Sequence, residues 1–326
     1  MTDERVTPEQ TNTEANGQVA DAVKGNWVDH RAPAWTRPYL RLSRADRPVG
    51  TWLLLIPCWW GALLASAEVG TLSPRTVWIM VGCALGAWLM RGAGCTWNDI
   101  SDRHIDDKVE RTKSRPIPAG QVNVKQAVTW MVVQSLIAFV ILLTFGKLAI
   151  VLGIASLLPV MIYPFAKRFT WWPQVFLGIA FNWGALLAYA AVAGELTTAP
   201  VFLYLAGIAW TIFYDTIYAH QDKEDDALIG VKSTALRFGD DTPRWLKRFL
   251  VMTVVLMAAG VIEALTERSV LALVVALGAP WAMGLHMTWQ MARLDTENPD
   301  RCLALFRSNR NTGLLAALFL AIAIFL

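Results

Sequence analysis

The sequence predicts an all-α, polytopic membrane bundle of nine transmembrane helices, on three observations. Of its 326 residues 55% are hydrophobic and only 17% are charged, where a soluble domain carries about 25% charged residues. Apolar stretches of about 20 residues recur along the chain, each long enough to cross a hydrocarbon core as a helix. Positive charge collects in every second connection between them, the pattern of cytoplasmic loops in membrane proteins.

In chain order, the first 45 residues are polar, mixed in charge and without an apolar run, and predict a disordered cytoplasmic tail, not a signal peptide; residues 46–326 form the membrane domain. Between Trp35 and Pro48, Trp35, Tyr39, Leu40 and Leu42 are interspersed with Arg37, Arg41, Arg44 and Arg47. That mixture suits either an interfacial segment against anionic lipid or a basic flank that orients the first span. Spans fall at about 49–68, 75–97, 122–145, 148–166, 173–193, 199–219, 247–266, 270–291 and 304–325. The turns near Gly146/Lys147 and Thr266–Ser269 interrupt almost continuous apolar sequence, so eight helices is the neighbouring count. Cys58, Cys83, Cys95 and Cys302 have no paired spacing and read as buried small apolar residues.

With nine spans the connections alternate sides, and Lys plus Arg number 22 on one side against three, Arg75, Lys147 and Arg268, on the other. The richer side is cytoplasmic by the positive-inside rule, which places the N-terminus and the connections after spans two, four and six there. The expected location is a bacterial inner membrane.

Span two becomes polar towards its end, and Asn98, Asp102 and Asp106 follow at i, i+4, i+8 with Arg91 two turns before them, so a continuing helix presents all four along one stripe. Asp99 and Asp107 are expected to point elsewhere, and their loss, like that of Asp225, to cost less. Span six ends similarly, with Asp215, Asp222 and Asp226 repeating the spacing 124 residues later. That recurrence suggests a parallel internal repeat. Carboxylates stacked at i, i+4 repel one another and call for cations or water. Hard oxygen donors of this kind suit Mg²⁺ shared with substrate phosphates, so opposed stripes could clamp a diphosphate. Acidic residues that merely solvate helix ends are the alternative, and they explain one cluster better than two matched ones.

Basic segments follow both clusters, Arg111, Lys113 and Arg115 after the first and Lys232 after the second, positioned to contact phosphate oxygens or to act as topology signals. Arg91 and Asp215 lie within spans, where an ionisable residue is costly and marks function. Tyr163 and Lys167 make a third polar stripe at the same side, with Lys167 snorkelling to the interface as the alternative reading. Asn182 reads either as a site residue or as a hydrogen bond between helices. His104 and His220 flank the clusters without metal-ligand spacing and read as bystanders.

Asn98-Asp-x-x-Asp102-x-x-x-Asp106 and Asp222-x-x-x-Asp226 resemble the two signature motifs of the UbiA superfamily of intramembrane aromatic prenyltransferases. Arg47-Pro-Val-Gly-Thr-Trp, Arg115-Pro-Ile-Pro-Ala-Gly120, Tyr163-Pro-Phe-Ala-Lys167, Tyr214-Asp215 and Lys232-Ser-Thr234 are similar to its 4-hydroxybenzoate polyprenyltransferase branch, over roughly residues 45–325. The resemblance implies helices around a central cavity that opens laterally to lipid, polyprenyl diphosphate and 4-hydroxybenzoate as substrates, and Mg²⁺ as cofactor. It implies that Asn98, Asp102, Asp106, Asp222 and Asp226 bind Mg²⁺–diphosphate, with Arg91, Tyr163, Lys167 and Asp215 around the acceptor. The lipid bilayer is the expected surrounding, with no nucleic-acid or protein partner. The rival class is a cation-coupled transporter, disfavoured because the acids cluster at one face instead of forming a path across the bilayer. Another quinone-precursor prenyltransferase of the same superfamily is the nearer alternative.

Overall fold

The computed structural model describes residues 22–23, 25–106 and 112–326, with the side chains of residues 104, 105, 222, 225 and 229 outside that description. Among the described residues every regular element is a helix. Contacts divide the chain into two compact units, the described residues up to Gly50 with Trp88–Ala138, and Thr51–Ala87 with Phe139–Leu326.

The helices are α1 (Trp27–His30), α2 (Arg37–Leu42), α3 (Val49–Val69), α4 (Pro74–Asp106), α5 (Val124–Leu142), α6 (Lys147–Ala155), α7 (Leu157–Phe169) and α8 (Pro173–Ala193). They continue with α9 (Thr198–Ala219), α10 (Lys223–Ile229), α11 (Thr234–Phe238), α12 (Thr242–Leu265), α13 (Val270–Ala276), α14 (Gly278–Met291) and α15 (Pro299–Ala323). Among the described residues eight segments are long and apolar enough to cross a membrane: Val49–Val69, Pro74–Arg103, Val124–Leu142, Lys147–Phe169, Pro173–Ala193, Thr198–Ala219, Thr234–Leu265 and Val270–Met291. The protein is therefore a multi-pass membrane protein. The ninth expected span lies within α15, whose first half carries Asp300, Arg301, Arg307 and Arg310, so eight spans are established and nine are not.

Both inferred hairpin turns are present. Gly146 adopts φ 106° just before α6, a conformation open to glycine. Ser269 Oγ accepts the Ala272 N–H at 3.0 Å and caps α13. Two apolar segments are interrupted for one reason: Pro159 cannot donate to Ala155, where α6 ends, and Pro280 cannot donate to Ala276, where α13 ends. These interruptions recur 121 residues apart, close to the spacing of the acidic clusters, in keeping with the suggested repeat.

Part of the expected tail is folded. Residues 1–21 and 24 lie outside the described residues, but α1, a 3₁₀ turn at Ala34–Thr36 and α2 occupy much of the remainder. Arg41 pairs with Asp29 at 2.7 Å with both groups buried, and Trp27 Nε1 donates to the Ala45 carbonyl at 3.2 Å. Low hydropathy had hidden an ion pair closed across twelve residues. Trp35 projects from this segment 77% exposed, as an interfacial residue would.

In the larger unit, Trp60 and Trp210 lie with ring centroids 5.1 Å apart, and Trp210 packs on Tyr214 at the same separation. Their indole N–H groups are satisfied by the Gly313 carbonyl and Asn309 Oδ1, each at 2.9 Å. Asn182 donates to Thr211 Oγ1 at 2.8 Å, and Thr211 donates to the Tyr214 hydroxyl at 3.1 Å. The amide is thus a hydrogen-bonded link from α8 to α9, resolving that alternative. All four cysteines are free and buried.

Gly61 lets α3 approach α8 closely, since a Cβ there would overlap the Ala185 carbonyl oxygen and come within 3.0 Å of the Tyr189 amide nitrogen. Backbone cannot yield as a side-chain tip does. Gly61→Val is expected to destabilise the detergent-solubilised protein by about 1–3 kcal/mol or more, read as a lowered thermal unfolding midpoint, whereas Gly86→Val, which faces open space, leaves the midpoint near wild type.

Candidate active site

In the smaller unit α4 continues without a break to Asp106, so Asn98, Asp102 and Asp106 do stand on one helix as expected. Asp102 and Asp106 are buried. Arg115, in the loop after α4, donates from Nη1 to Asp106 Oδ2 at 2.8 Å, and the same nitrogen lies 3.5 Å from Asp99 Oδ1. Thr112 donates its hydroxyl to the Asp106 carbonyl at 2.8 Å. Burial pushes the Asp106 carboxyl above its ordinary value; Arg115 opposes that, and the negative charges of Asp99 and Asp102 add to it.

Asp99 requires a correction. It is fully buried, and Arg44 grips it through two hydrogen bonds of 2.6 and 3.0 Å. Helical geometry explains why it does not simply point away. Each i, i+4 step rotates the stripe by about 40°, so after two steps Asp106 has come round to within about 20° of Asp99, seven residues before it. Arg115 reaches both carboxylates because they share a line. The expectation that Asp99 is a cheap substitution therefore loses its basis.

Arg91 is held over Gly50, where an added Cβ would lie 2.5 Å from both Nε and Nη2 of the guanidinium. The glycine of Arg47-Pro-Val-Gly50 thus makes room for an ionisable group inside the membrane. Lys113 is exposed, and Arg111 lies outside the described residues.

In the larger unit α9 ends at Ala219, a 3₁₀ turn covers His220–Asp222, and α10 carries Asp226. The expected continuing helix is therefore interrupted between Asp215 and Asp226. The Asp226 carbonyl accepts the Val231 N–H at 2.9 Å, and the next residue, Lys232, donates its backbone N–H to the Lys167 carbonyl at 3.0 Å. Two further bonds fix the segment: the Thr234 N–H donates to Gln174 Oε1 at 3.2 Å, and the Thr234 and Thr216 hydroxyls meet at 2.6 Å. Backbone hydrogen bonds thus link Asp226, Lys232 and Lys167, with Tyr163 one turn earlier on α7. Asp215 is half-buried on α9, next to the anchored Tyr214. His220 donates to or accepts from Thr242 Oγ1 at 3.2 Å, and burial, aided by the Lys223 charge, lowers it to about 4, so it is neutral near pH 7 and structural.

Among the described residues no group of three His, Cys, Asp or Glu is closed up around a metal position. The donor chemistry of α4 nonetheless fits a divalent cation. Three carboxylates lie buried within eight residues; burial first, and then the charges of Asp99 and Asp102, raise Asp106, a setting in which a cation is favoured. In sequence, Arg44, Asp99 and Thr216 had no part in the site, and Gly50 and Gln174 stood only within motifs or polar stretches, without a role. Only the seven-residue interval between Asp99 and Asp106 was a readable signal.

A family model for UbiA prenyltransferases matches residues 54–325. The chain belongs to the UbiA prenyltransferase family. It is 47% identical over 300 residues to the mitochondrial 4-hydroxybenzoate polyprenyltransferase of Bos taurus, spanning 91% of this chain and 77% of that one. The protein of the same name from Arabidopsis thaliana is 44% identical over 292 residues, 89% of this chain and 69% of its own. Among solved folds, the apo UbiA homolog from Aeropyrum pernix K1 aligns with TM-score 0.64 at 22% identity, over 84% of this chain and 96% of that one. A UbiA homolog from Archaeoglobus fulgidus bound to GPP and Mg²⁺ aligns with TM-score 0.63 at 20% identity, over 88% and 99%. The UbiA fold is thus common to all of them.

Gly50→Ala is expected to lower the thermal midpoint and to do so much less in an Arg91→Ala background, because the clash disappears with the guanidinium. Equal shifts in both backgrounds, measured as a double-mutant cycle, disprove the contact.

Proposed function

We propose that this chain is a Mg²⁺-dependent enzyme that transfers a polyprenyl group from polyprenyl diphosphate to the ring carbon ortho to the hydroxyl of 4-hydroxybenzoate, in ubiquinone biosynthesis. The observation that carries this is identity of 44–47% over about nine-tenths of the chain to relatives named for that activity. The Archaeoglobus fulgidus homolog with GPP and Mg²⁺ supports the metal.

Asn98, Asp102, Asp106, Asp222 and Asp226 would hold the metal-bound diphosphate. Magnesium, when bound, neutralises the charge that develops on the departing diphosphate. Arg111, Lys113, Arg115 and Lys232 add cationic hydrogen bonds to its oxygens. The allylic C–O bond breaks, its electron pair leaving with the diphosphate, and the allylic carbon accepts electrons from the ring. The ring carbon then loses its proton and aromaticity returns. Asp215 would interact with the phenol and raise ring electron density, while Arg91, Tyr163 and Lys167 would lie around the acceptor and the phosphate. Apolar walls exclude the water that would quench the electrophile.

Orientation follows the charge bias, with N-terminus and site cytoplasmic in a bacterial inner membrane. The relatives' names place them in mitochondria, so the membrane's identity is part of the proposal.

Membranes carrying the protein, given a polyprenyl diphosphate, Mg²⁺ and labelled 4-hydroxybenzoate, should form the prenylated acid, lose the activity in excess chelator and regain it with Mg²⁺. Absence of product rejects the assignment. With saturating donor, Asp215→Asn is expected to lower kcat by about 100-fold or more; unchanged turnover removes Asp215 from the chemistry.

A further inference from the structure

Arg44 is the one non-glycine residue with positive φ, 55°, among the described residues. Left-handed backbone is strained at such a residue and persists where surrounding contacts over-determine it. Here those contacts are identifiable. Arg44 is only 7% exposed and reaches 55 positions along the chain to a fully buried carboxylate, with Nη1 and Nη2 each on a different oxygen of Asp99. Its Nη1 also donates to the Arg41 carbonyl at 3.3 Å, tying the guanidinium to the end of α2. Ser43, the preceding residue, receives the Trp130 indole N–H at 2.8 Å and donates to Gln134 at 3.1 Å, so the turn is held from α5 as well.

The pair has a second consequence. Asp99 is neutralised by Arg44 at 2.6 Å but touches Arg115 only at 3.5 Å, while Arg115 makes its short contact, 2.8 Å, with Asp106. Without Arg44 a buried, uncompensated Asp99 would draw Arg115 to itself, one guanidinium serving two carboxylates on one helix line. We propose that Arg44 and Asp99 are positioning residues: the buried pair fixes the rotation of the last turns of α4 and keeps Arg115 on the Asp106 side, so that Asp102 and Asp106 are set for a divalent cation. Neither residue touches substrate in this account; each acts through α4 and Arg115. The inference rests on the reading of Asp102 and Asp106 as metal ligands.

The test is Mn²⁺ binding to the purified full chain in detergent, followed by electron paramagnetic resonance, beside thermal unfolding. Arg44→Lys keeps the charge but loses the fork, and Asp99→Asn keeps the shape but loses the charge. Each is expected to weaken Mn²⁺ binding by about 10- to 100-fold, the range for groups that orient metal ligands, and to raise the KM for donor more than it lowers kcat. The double variant Arg44→Gln with Asp99→Asn removes both charges together and keeps the fold measurable if a single variant unfolds; it too should bind Mn²⁺ weakly at a recovered midpoint. Wild-type Mn²⁺ affinity in the folded variants overturns the positioning role. Asp106→Asn separates the two readings: if it abolishes Mn²⁺ binding while the Arg44 and Asp99 variants retain it, only the positioning role falls. If Asp106→Asn itself binds Mn²⁺ as wild type does, the ligand reading falls and the proposal with it.

Discussion

An ionised carboxylate removed from water costs several kcal/mol unless a partner compensates it, and α4 buries Asp99, Asp102 and Asp106 within its last two turns. Much of the smaller unit can be understood as a response to that demand. Arg44 comes from the turn before the first span, strained backbone included, and Arg115 from the loop that follows the helix. The segments on either side of the membrane helices are therefore tied to the acidic end of α4, and the folded α1–α2 segment becomes part of the same assembly through Arg41 and Asp29.

The larger unit holds its own acidic stretch by different means. Its helix breaks into a 3₁₀ turn before α10, and order is restored by hydrogen bonds from Val231, Lys232 and Thr234 to Asp226, Lys167 and Gln174. All three donors are backbone N–H groups, which place a basic segment beside α7. In the smaller unit, by contrast, Arg44 and Arg115 reach carboxylates of α4 through their side chains. Two motifs that look alike in sequence are thus supported in unlike ways, one by ion pairs at the helix and one by a laced loop.

The proposed reaction places a strongly anionic diphosphate in a low-dielectric surrounding. There, carboxylates need a metal to be useful and lysines or arginines need anions to remain buried. The aromatic line of Trp60, Trp210 and Tyr214, its polar atoms satisfied internally, gives α9 a fixed wall beside Asp215.

Membrane class, eight of the span positions and the run of Asn98, Asp102 and Asp106 on one helix were legible from sequence because each depends on local properties: about 20 apolar residues for a bilayer and helical periodicity for a stripe. The Pro159 and Pro280 interruptions were equally local, since each proline removes one hydrogen bond to a residue four positions earlier. What only the tertiary structure decided were pairings across long stretches of chain. Asp99 was set aside on its position relative to Asn98, yet its partner lies 55 residues away. Gly50 acquired its meaning from Arg91, and Asn182 from Thr211. Periodicity tells which way a side chain leaves its own helix; the group that meets it there depends on how distant segments pack, and the cost of a buried charge makes that meeting obligatory.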